Sequence, residues 1–327
     1  MEEKQYCDIC GDNFVEKQHI VSIGSLKGVD AKIYNLVKCK VCDTVFVNPL
    51  PTEANLAKFY SLFFNGKLRQ GIVDWDDFIS ANKQSIEDGM SKIRYIEKYA
   101  NYENKKRKLL DVGSGYGFFL YAAMNSGYNS YGVDLNKEAI KFAKEKMNIE
   151  IYEESIYDLC KITENNFDVV TAWTVIEHLT SPRKCCSEIN KILKMGGIFA
   201  GAVPNMDGIG YKLYGKKWHL MIPPEHIFYF NKKAIKQLLM NNGFYPIFVG
   251  TIPLYASPYF SFKIRINLMK LSKKLNSRLL KSLLLVLHRA LTLTKRHVVY
   301  RALNTVIMLF HLGGDNIFFV AKKVSCV

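Results

Sequence analysis

Three glycines on alternate positions, Gly113, Gly115 and Gly117, close the run Leu109-Leu110-Asp111-Val112-Gly113-Ser114-Gly115-Tyr116-Gly117. Residues without a Cβ let the backbone turn sharply and come close to a ligand, so the run reads as a buried strand breaking into a tight turn. Phe118-Phe119-Leu120 and Ala122-Ala123 then recur at helical spacing, and the turn opens a helix. A second strand, Ser130-Tyr131-Gly132-Val133, ends at Asp134, with Leu135 beyond it. A carboxylate at that tip is placed to accept hydrogen bonds from both hydroxyls of a ribose. Strand, turn, helix and acid form one βαβ unit suited to an adenosine-bearing cofactor.

Dinucleotide turns carry G-x-G-x-x-G and cradle a pyrophosphate. Here the order is D-x-G-x-G-x-G, and the leading acid suits a ligand that brings a cationic amino group and a sulfonium. With these residues the chain resembles the class I S-adenosylmethionine-dependent methyltransferases, whose first cofactor motif has this form. Phe167 to Leu179 is similar to that family's fourth strand and the loop facing the reacting methyl. Leu193-Lys194-Met195-Gly196-Gly197, followed by Ile198 to Asn205, resembles its glycine turn and fifth strand. The resemblance implies an α/β fold, a doubly wound, Rossmann-like sheet of seven strands with the last strand antiparallel. It also implies S-adenosylmethionine contacts at Asp111, Gly113, Gly115, Gly117, Asp134 and Leu135, at Ser155 and Ile156 after a third strand over 149–152, and at Trp173. Asp315 to Lys322 reads as the last strand, pairing antiparallel with Tyr245 to Val249.

Near the N-terminus stand two C-x-x-C pairs, Cys7-Asp8-Ile9-Cys10 and Cys39-Lys40-Val41-Cys42, separated by stretches with strand character. Each pair can turn two thiolates toward one ion, and together they supply the four sulfurs of a tetrahedral structural zinc site. Four sulfur ligands leave no open position, so this zinc is expected to serve folding. Neither pair opens a helix, where a thiol becomes acidic, which argues against a redox pair. Cys160, Cys185, Cys186 and Cys326 are scattered, and the first residues show no basic-then-apolar run, so a reducing cytoplasm is expected. A zinc ribbon ahead of such a domain resembles the sugar methyltransferases of polysaccharide and deoxysugar pathways. The expected organisation is a ribbon over 1–50, a helical linker and substrate lid over 51–100, and the methyltransferase domain over 101–327.

Methyl transfer from a sulfonium is a direct displacement, so the protein must align the partners and remove one proton from the acceptor. A histidine suits the proton removal, and two stand in motif positions, His178 after the fourth strand and His226 in Pro223-Pro224-Glu225-His226. The sugar methyltransferases that this chain resembles place base and orienting carboxylate in an E-H pair after the fifth strand, which implies those roles for His226 and Glu225. Helix capping and loop fixing are the competing roles for both pairs. Some relatives hold a divalent ion with E-x-x-E-H; here Thr174 replaces the first acid, so catalytic Mg²⁺ is not expected. The segment Tyr211 to Leu220 mixes aromatics and cations suited to a sugar face and a phosphate, and Tyr60 is a candidate to reach over the cleft.

Charge is concentrated at one end. The net charge is +15, and Thr251 to Val327 hold thirteen Lys and Arg against one acid, Asp315. Leu268, Leu271, Leu275, Leu279, Leu283 and Val286 recur at helical spacing, with Lys270, Lys273, Lys274 and Lys281 opposite. Residues 251–312 therefore read as a basic helical insertion between the last two strands. It either contacts an anionic membrane peripherally through 263–301 or caps the sheet. The expected acceptor is a sugar or glycan-linked hydroxyl, as a small molecule or carried on a lipid. An RNA gripped by ribbon and basic tail is the first alternative, though no N/D-P-P-Y for holding a nucleobase amine follows the fourth strand. A keto-sugar carbon, whose enzymes carry a further C-terminal domain, is the second, and an inactive cofactor-binding scaffold the third.

Overall fold

The computed structural model describes residues 6–12, 15–23, 33–56, 59–60, 82–100, 107–161, 166–251 and 314–327. The basic insertion beyond Thr251, including 263–301, lies outside them, as do residues 61–81 of the expected lid. Among the described residues no helix is long and apolar enough to cross a membrane.

The chain opens with strands β1 (Val15–Ile23), β2 (Ile33–Cys39) and β3 (Val45–Val47), paired antiparallel in that order. Thr52 caps the turn that follows, its hydroxyl accepting from Asn55 N at 3.2 Å. Helix α1 (Lys83–Ala100) leads into β4 (Lys108–Val112), α2 (Phe118–Asn125), β5 (Asn129–Asp134), α3 (Lys137–Met147) and β6 (Ile151–Glu153). Then come β7 (Phe167–Trp173), α4 (Pro182–Ile192), β8 (Leu193–Pro204), α5 (Ile209–Tyr214), β9 (Phe228–Tyr229), α6 (Lys232–Asn241), β10 (Phe244–Gly250) and β11 (Asn316–Lys323).

Seven strands form one sheet in the order β10-β11-β8-β7-β4-β5-β6. β11 runs antiparallel to both of its neighbours, while β8, β7, β4, β5 and β6 pair in parallel. The expected doubly wound sheet with its antiparallel last strand is the architecture observed. Its central strands are nearly continuous apolar runs because helices cover both faces; Leu109, Leu110, Val169, Val170, Ala172, Phe199 and Ala200 are all buried. The order reverses around β4, the first strand of the sheet in sequence, and a crevice outside the carboxyl ends at such a switch point is where ligands bind.

Helix α1, read from sequence only as part of a linker, lies on this sheet. Tyr99 stacks on Phe248 with ring centroids 4.2 Å apart, and Tyr95 meets Phe318 at 5.9 Å. A Cβ on Gly89 would stand 2.8 Å from the Cβ of Ala122, so α1 and α2 touch nearly backbone to backbone.

A second sheet, in the order β1-β2-β3-β9, takes its fourth strand from the far side of the chain. Val45 pairs with Tyr229 and Phe46 with Phe228, and the rings of Phe46 and Phe228 stack at 5.4 Å. Polar clasps reinforce this joint. Asp8 accepts from Ser181 Oγ at 3.1 Å and from Arg183 N at 3.0 Å, at the start of α4. Asn231 caps α6 by accepting from Ala234 N at 2.7 Å and donates to Cys42 O at 3.3 Å. The capping role left open for Glu225 and His226 thus belongs to Asn231. Removing the Phe46 ring would leave a cavity between the two sheets. Phe46→Ala should cost about 3–5 kcal/mol in denaturant unfolding, and a loss within 1 kcal/mol would show that the joint contributes little.

Candidate active site

The glycine turn after β4 is built as the sequence demands. Gly113, Gly115 and Gly117 all have positive φ, at 69°, 51° and 81°, a region where side chains are strained. A Cβ on Gly113 would also meet Val175 Cγ2 at 2.6 Å. The carboxylate of Asp134 is held from both sides, accepting from Gly115 N at 2.7 Å and from Asn136 N at 2.8 Å. Leu135, next to it, is 67% exposed and offers an apolar face at the crevice. In the turn after β6, Glu154 accepts from Ser155 N at 2.8 Å and Ser155 Oγ from Tyr157 N at 3.2 Å, which sets Ser155 and Ile156 along the same edge.

Asp111 is buried and accepts from Thr171 Oγ1 at 2.6 Å. Burial pushes its pKa up to about 7, against the opposing pull of the Thr171 hydroxyl and Lys92. A carboxyl in that state gains from a cation brought to it. Trp173, at the end of β7, stacks on Phe318 at 5.6 Å and carries Lys92 Nζ 4.7 Å above its ring. Its indole Nε1 has no hydrogen-bond partner among the described residues. Glycines at positive φ, a buried acid and an idle indole donor at one switch point fit a cofactor that joins an adenosine to an amino acid.

The loop after β7 carries the second half of the site. Thr174 sits at φ 54°, a left-handed conformation costly for a β-branched residue; its N–H donates to Ala202 O at 2.9 Å. A turn of 3-10 helix, Ile176–His178, follows. His178 Nδ1 donates to the backbone carbonyl of Glu225 at 2.6 Å and lies 3.2 Å from Tyr60 Oη. His226 Nδ1 donates to Leu220 O at 2.8 Å, and the two imidazoles meet edge to face with centroids 4.8 Å apart. Carbonyl oxygens only accept, so Nδ1 carries the proton in both rings, and the backbone of Thr174 is a second hydrogen-bonding neighbour of the His178 ring. Burial pushes the pKa of His178 down to about 4 and that of His226 down to about 3, which keeps both neutral at physiological pH.

One expectation needs correction. The Nδ1 position of His226, where an orienting acceptor must sit, is occupied by Leu220 O rather than by the Glu225 carboxylate. The chain doubles back between Leu220 and His226, which brings a backbone carbonyl to that nitrogen. Glu225 orients through its main chain instead, and the ring it holds is His178.

Residues 87–247 match the methyltransferase domain family. The chain carries a class I S-adenosylmethionine-dependent methyltransferase domain. Curated relatives include the ubiquinone biosynthesis O-methyltransferase of Thiobacillus denitrificans, 28% identical over 148 residues, 42% of this chain and 61% of that protein. The enzyme of the same name from Nitrosococcus oceani is 28% identical over 111 residues, 32% of this chain and 46% of that protein. The chain thus spans 61% and 46% of these relatives' lengths. Among solved structures, a SAM dependent methyltransferase from Archaeoglobus fulgidus is 20% identical, covers 76% of this chain and all of its own, and has a TM-score of 0.45.

Outside the methyltransferase domain, Cys7, Cys10, Cys39 and Cys42 come together. Cys7 Sγ lies 3.6 Å from Cys42 Sγ and Cys10 Sγ 3.5 Å from Cys39 Sγ, and all four sulfurs fall within 4.8 Å of one another. Sulfurs on a tetrahedral zinc stand about 3.8 Å apart, from a Zn–S bond of about 2.3 Å, so the four fit such an ion. Of the aromatic lid, Trp218 is buried against Tyr211 and His219 and belongs to the core.

Two contributors to the candidate site escaped the sequence: Lys92 is brought over Trp173 by a helix that no motif marks, and the strain at Thr174 has no residue signature. Glu177, weighed in sequence as the partner of His178, turns its carboxyl group wholly inward.

Because Asp111 is protonated below about pH 7, its charge is available to a cationic amino group only above that pH. Cofactor affinity, measured by calorimetry, should weaken about tenfold per pH unit below 7 and binding should release protons there. Affinity that stays constant from pH 8 to 5.5, with Asp111→Asn binding like wild type, would remove Asp111 from the cofactor contacts.

Proposed function

We propose that the protein methylates a hydroxyl of a sugar or glycan-linked acceptor in polysaccharide or glycoconjugate biosynthesis, and that His226 is the base. The supporting observation is the pair of neutral imidazoles, each held through Nδ1 by a backbone carbonyl, beside Tyr60 at the carboxyl edge of the sheet that carries the glycine turn. Bound S-adenosylmethionine supplies a methyl on a sulfonium. His226 Nε2 takes the acceptor proton as the oxygen–methyl bond forms and the carbon–sulfur bond breaks, its electron pair remaining on sulfur. His178 and Tyr60 orient the acceptor, and Glu225 holds His178 through its carbonyl. The curated relatives bear O-methyltransferase names, which supports oxygen over carbon. The sugar reading draws on the four cysteines ahead of the domain. We also propose that these cysteines hold one structural zinc, and that the basic segment 263–301 meets an anionic membrane where a lipid-linked acceptor resides.

A phenolic hydroxyl is the second reading, supported by the names of those relatives and by the weakness of the base, since a base with pKa about 3 suits an acidic oxygen best.

His226→Asn should lower turnover about 10²–10⁴-fold while leaving S-adenosylmethionine affinity unchanged, measured with a panel of nucleotide sugars, polyprenyl-linked sugars, phenols and RNA. Methyl incorporation into RNA alone, or only into phenols, would replace the glycan reading. With the base already neutral, turnover at saturating cofactor should stay level from pH 8 to 6 instead of falling as for an ordinary histidine. Elemental analysis should find the ribbon zinc, and Cys39→Ser should lose it together with stability.

A further inference from the structure

We infer that the Tyr157 hydroxyl is a positioning group that couples cofactor binding to the placement of Tyr60, so that S-adenosylmethionine completes the acceptor side of the site. Tyr157 stands in the turn after β6, one residue beyond Ile156, and its N–H donates to Ser155 Oγ at 3.2 Å. Its hydroxyl leaves that turn and meets the loop after β7. Ser181 N donates to Tyr157 Oη at 3.0 Å, and Thr180 Oγ1 lies 3.1 Å from the same oxygen. Thr180 Oγ1 in turn donates to the carboxylate of Glu53, in the turn that Thr52 caps. From Glu53 the chain runs on to Tyr60, whose Oη lies 3.2 Å from His178 Nδ1.

The direction of these bonds follows from their two ends. A backbone N–H only donates and a carboxylate only accepts. Thr180 gives its single hydroxyl hydrogen to Glu53, so the Tyr157 O–H donates to Thr180 Oγ1. Burial pushes the pKa of Tyr157 up to about 12, which keeps that hydrogen in place. Both hydroxyls therefore point toward Glu53, and bonds aligned head to tail polarise one another. The near end is fixed by the four-cysteine module, since Ser181 Oγ donates to Asp8 at 3.1 Å and Arg183 N donates to the same carboxylate at 3.0 Å. With Ser181 held, a change in the aim of the Tyr157 ring passes outward to Thr180 and Glu53. An adenine seated on Ser155 and Ile156 fixes that aim, and Tyr60 is set beside His178 as a result. The inference rests on the proposed contacts of Ser155 and Ile156 with the cofactor and of Tyr60 with the acceptor; it needs neither the identity of the acceptor nor the His226 base.

S-adenosylhomocysteine tests it without an acceptor. Its binding is followed by calorimetry, and amide hydrogen exchange in the peptide spanning residues 53–60 is compared with and without it. In the wild type the ligand should slow exchange there about tenfold. Tyr157→Phe and Thr180→Val each remove one hydroxyl; each should abolish most of that slowing while ligand affinity stays within about threefold, which also reports the fold. Combining them should add nothing, because either change opens the same chain. A hydroxyl with only a structural role would speed exchange equally in the free and bound protein. A ligand effect that survives in both variants therefore overturns the inference, as does a wild-type peptide indifferent to the ligand. Should Tyr157→Phe not fold, Thr180→Val decides alone. Binding without slowed exchange removes the coupling and leaves the proposed reaction standing, since that reaction fails on the acceptor panel and on His226→Asn, which this measurement does not touch.

Discussion

Ile227 holds the molecule together through two backbone hydrogen bonds. Its N–H donates to Glu177 O at 2.7 Å, and its carbonyl accepts from Val47 N at 2.9 Å. One peptide segment thereby joins the loop after β7, the edge of the four-stranded sheet and the residue that follows His226. Because β3 and β9 pair on the next two residues, the four-cysteine module and the acceptor side of the methyltransferase domain share one hydrogen-bonded sheet. The module is therefore joined by backbone hydrogen bonds to the segment that carries His226.

The two halves of the site use burial in opposite ways. On the cofactor side, Asp111 is an acid whose charge burial penalises, and Thr171 and Lys92 only partly relieve it. Around the loops after β7 and before β9, burial keeps His178 and His226 neutral while carbonyls fix which nitrogen holds the proton. Low local polarity thus makes one side receptive to a cation and holds the imidazoles of the other unprotonated. Thr174, strained at φ 54°, stands at the junction between them. Such strain persists only where the surroundings impose it, and here the imposing bond is the one to Ala202 O.

Legibility in sequence followed the range of each interaction. The glycine turn, Asp134 and the paired cysteines were readable because each needs only neighbours within a few residues and a backbone that a Cβ would block. The central strands were readable because burial on both faces forces apolar runs. Helix α1 was hidden because its contacts, Tyr99 on Phe248 and Gly89 on Ala122, lie far off in the chain and leave no motif. β9 was hidden because two residues carry no period. The role of Glu225 was misread for a related reason, since an E-H pair names two side chains whereas the structure uses the main-chain carbonyl of one.

What the sequence alone determined is the donor half: a strand, a turn that only glycine accepts and two acids at successive strand tips, all set by local geometry. Tertiary structure alone decided the meeting of the two histidines. His178 and His226 stand 48 residues apart in the chain, linked through the bond from His178 to the carbonyl of Glu225, and no local rule brings them face to face. Their tautomers, their neutrality and the inward turn of Glu177 all arise from carbonyls and apolar walls contributed by distant segments. Those properties belong to the packed interior, where the loss of water makes each nearby polar atom count.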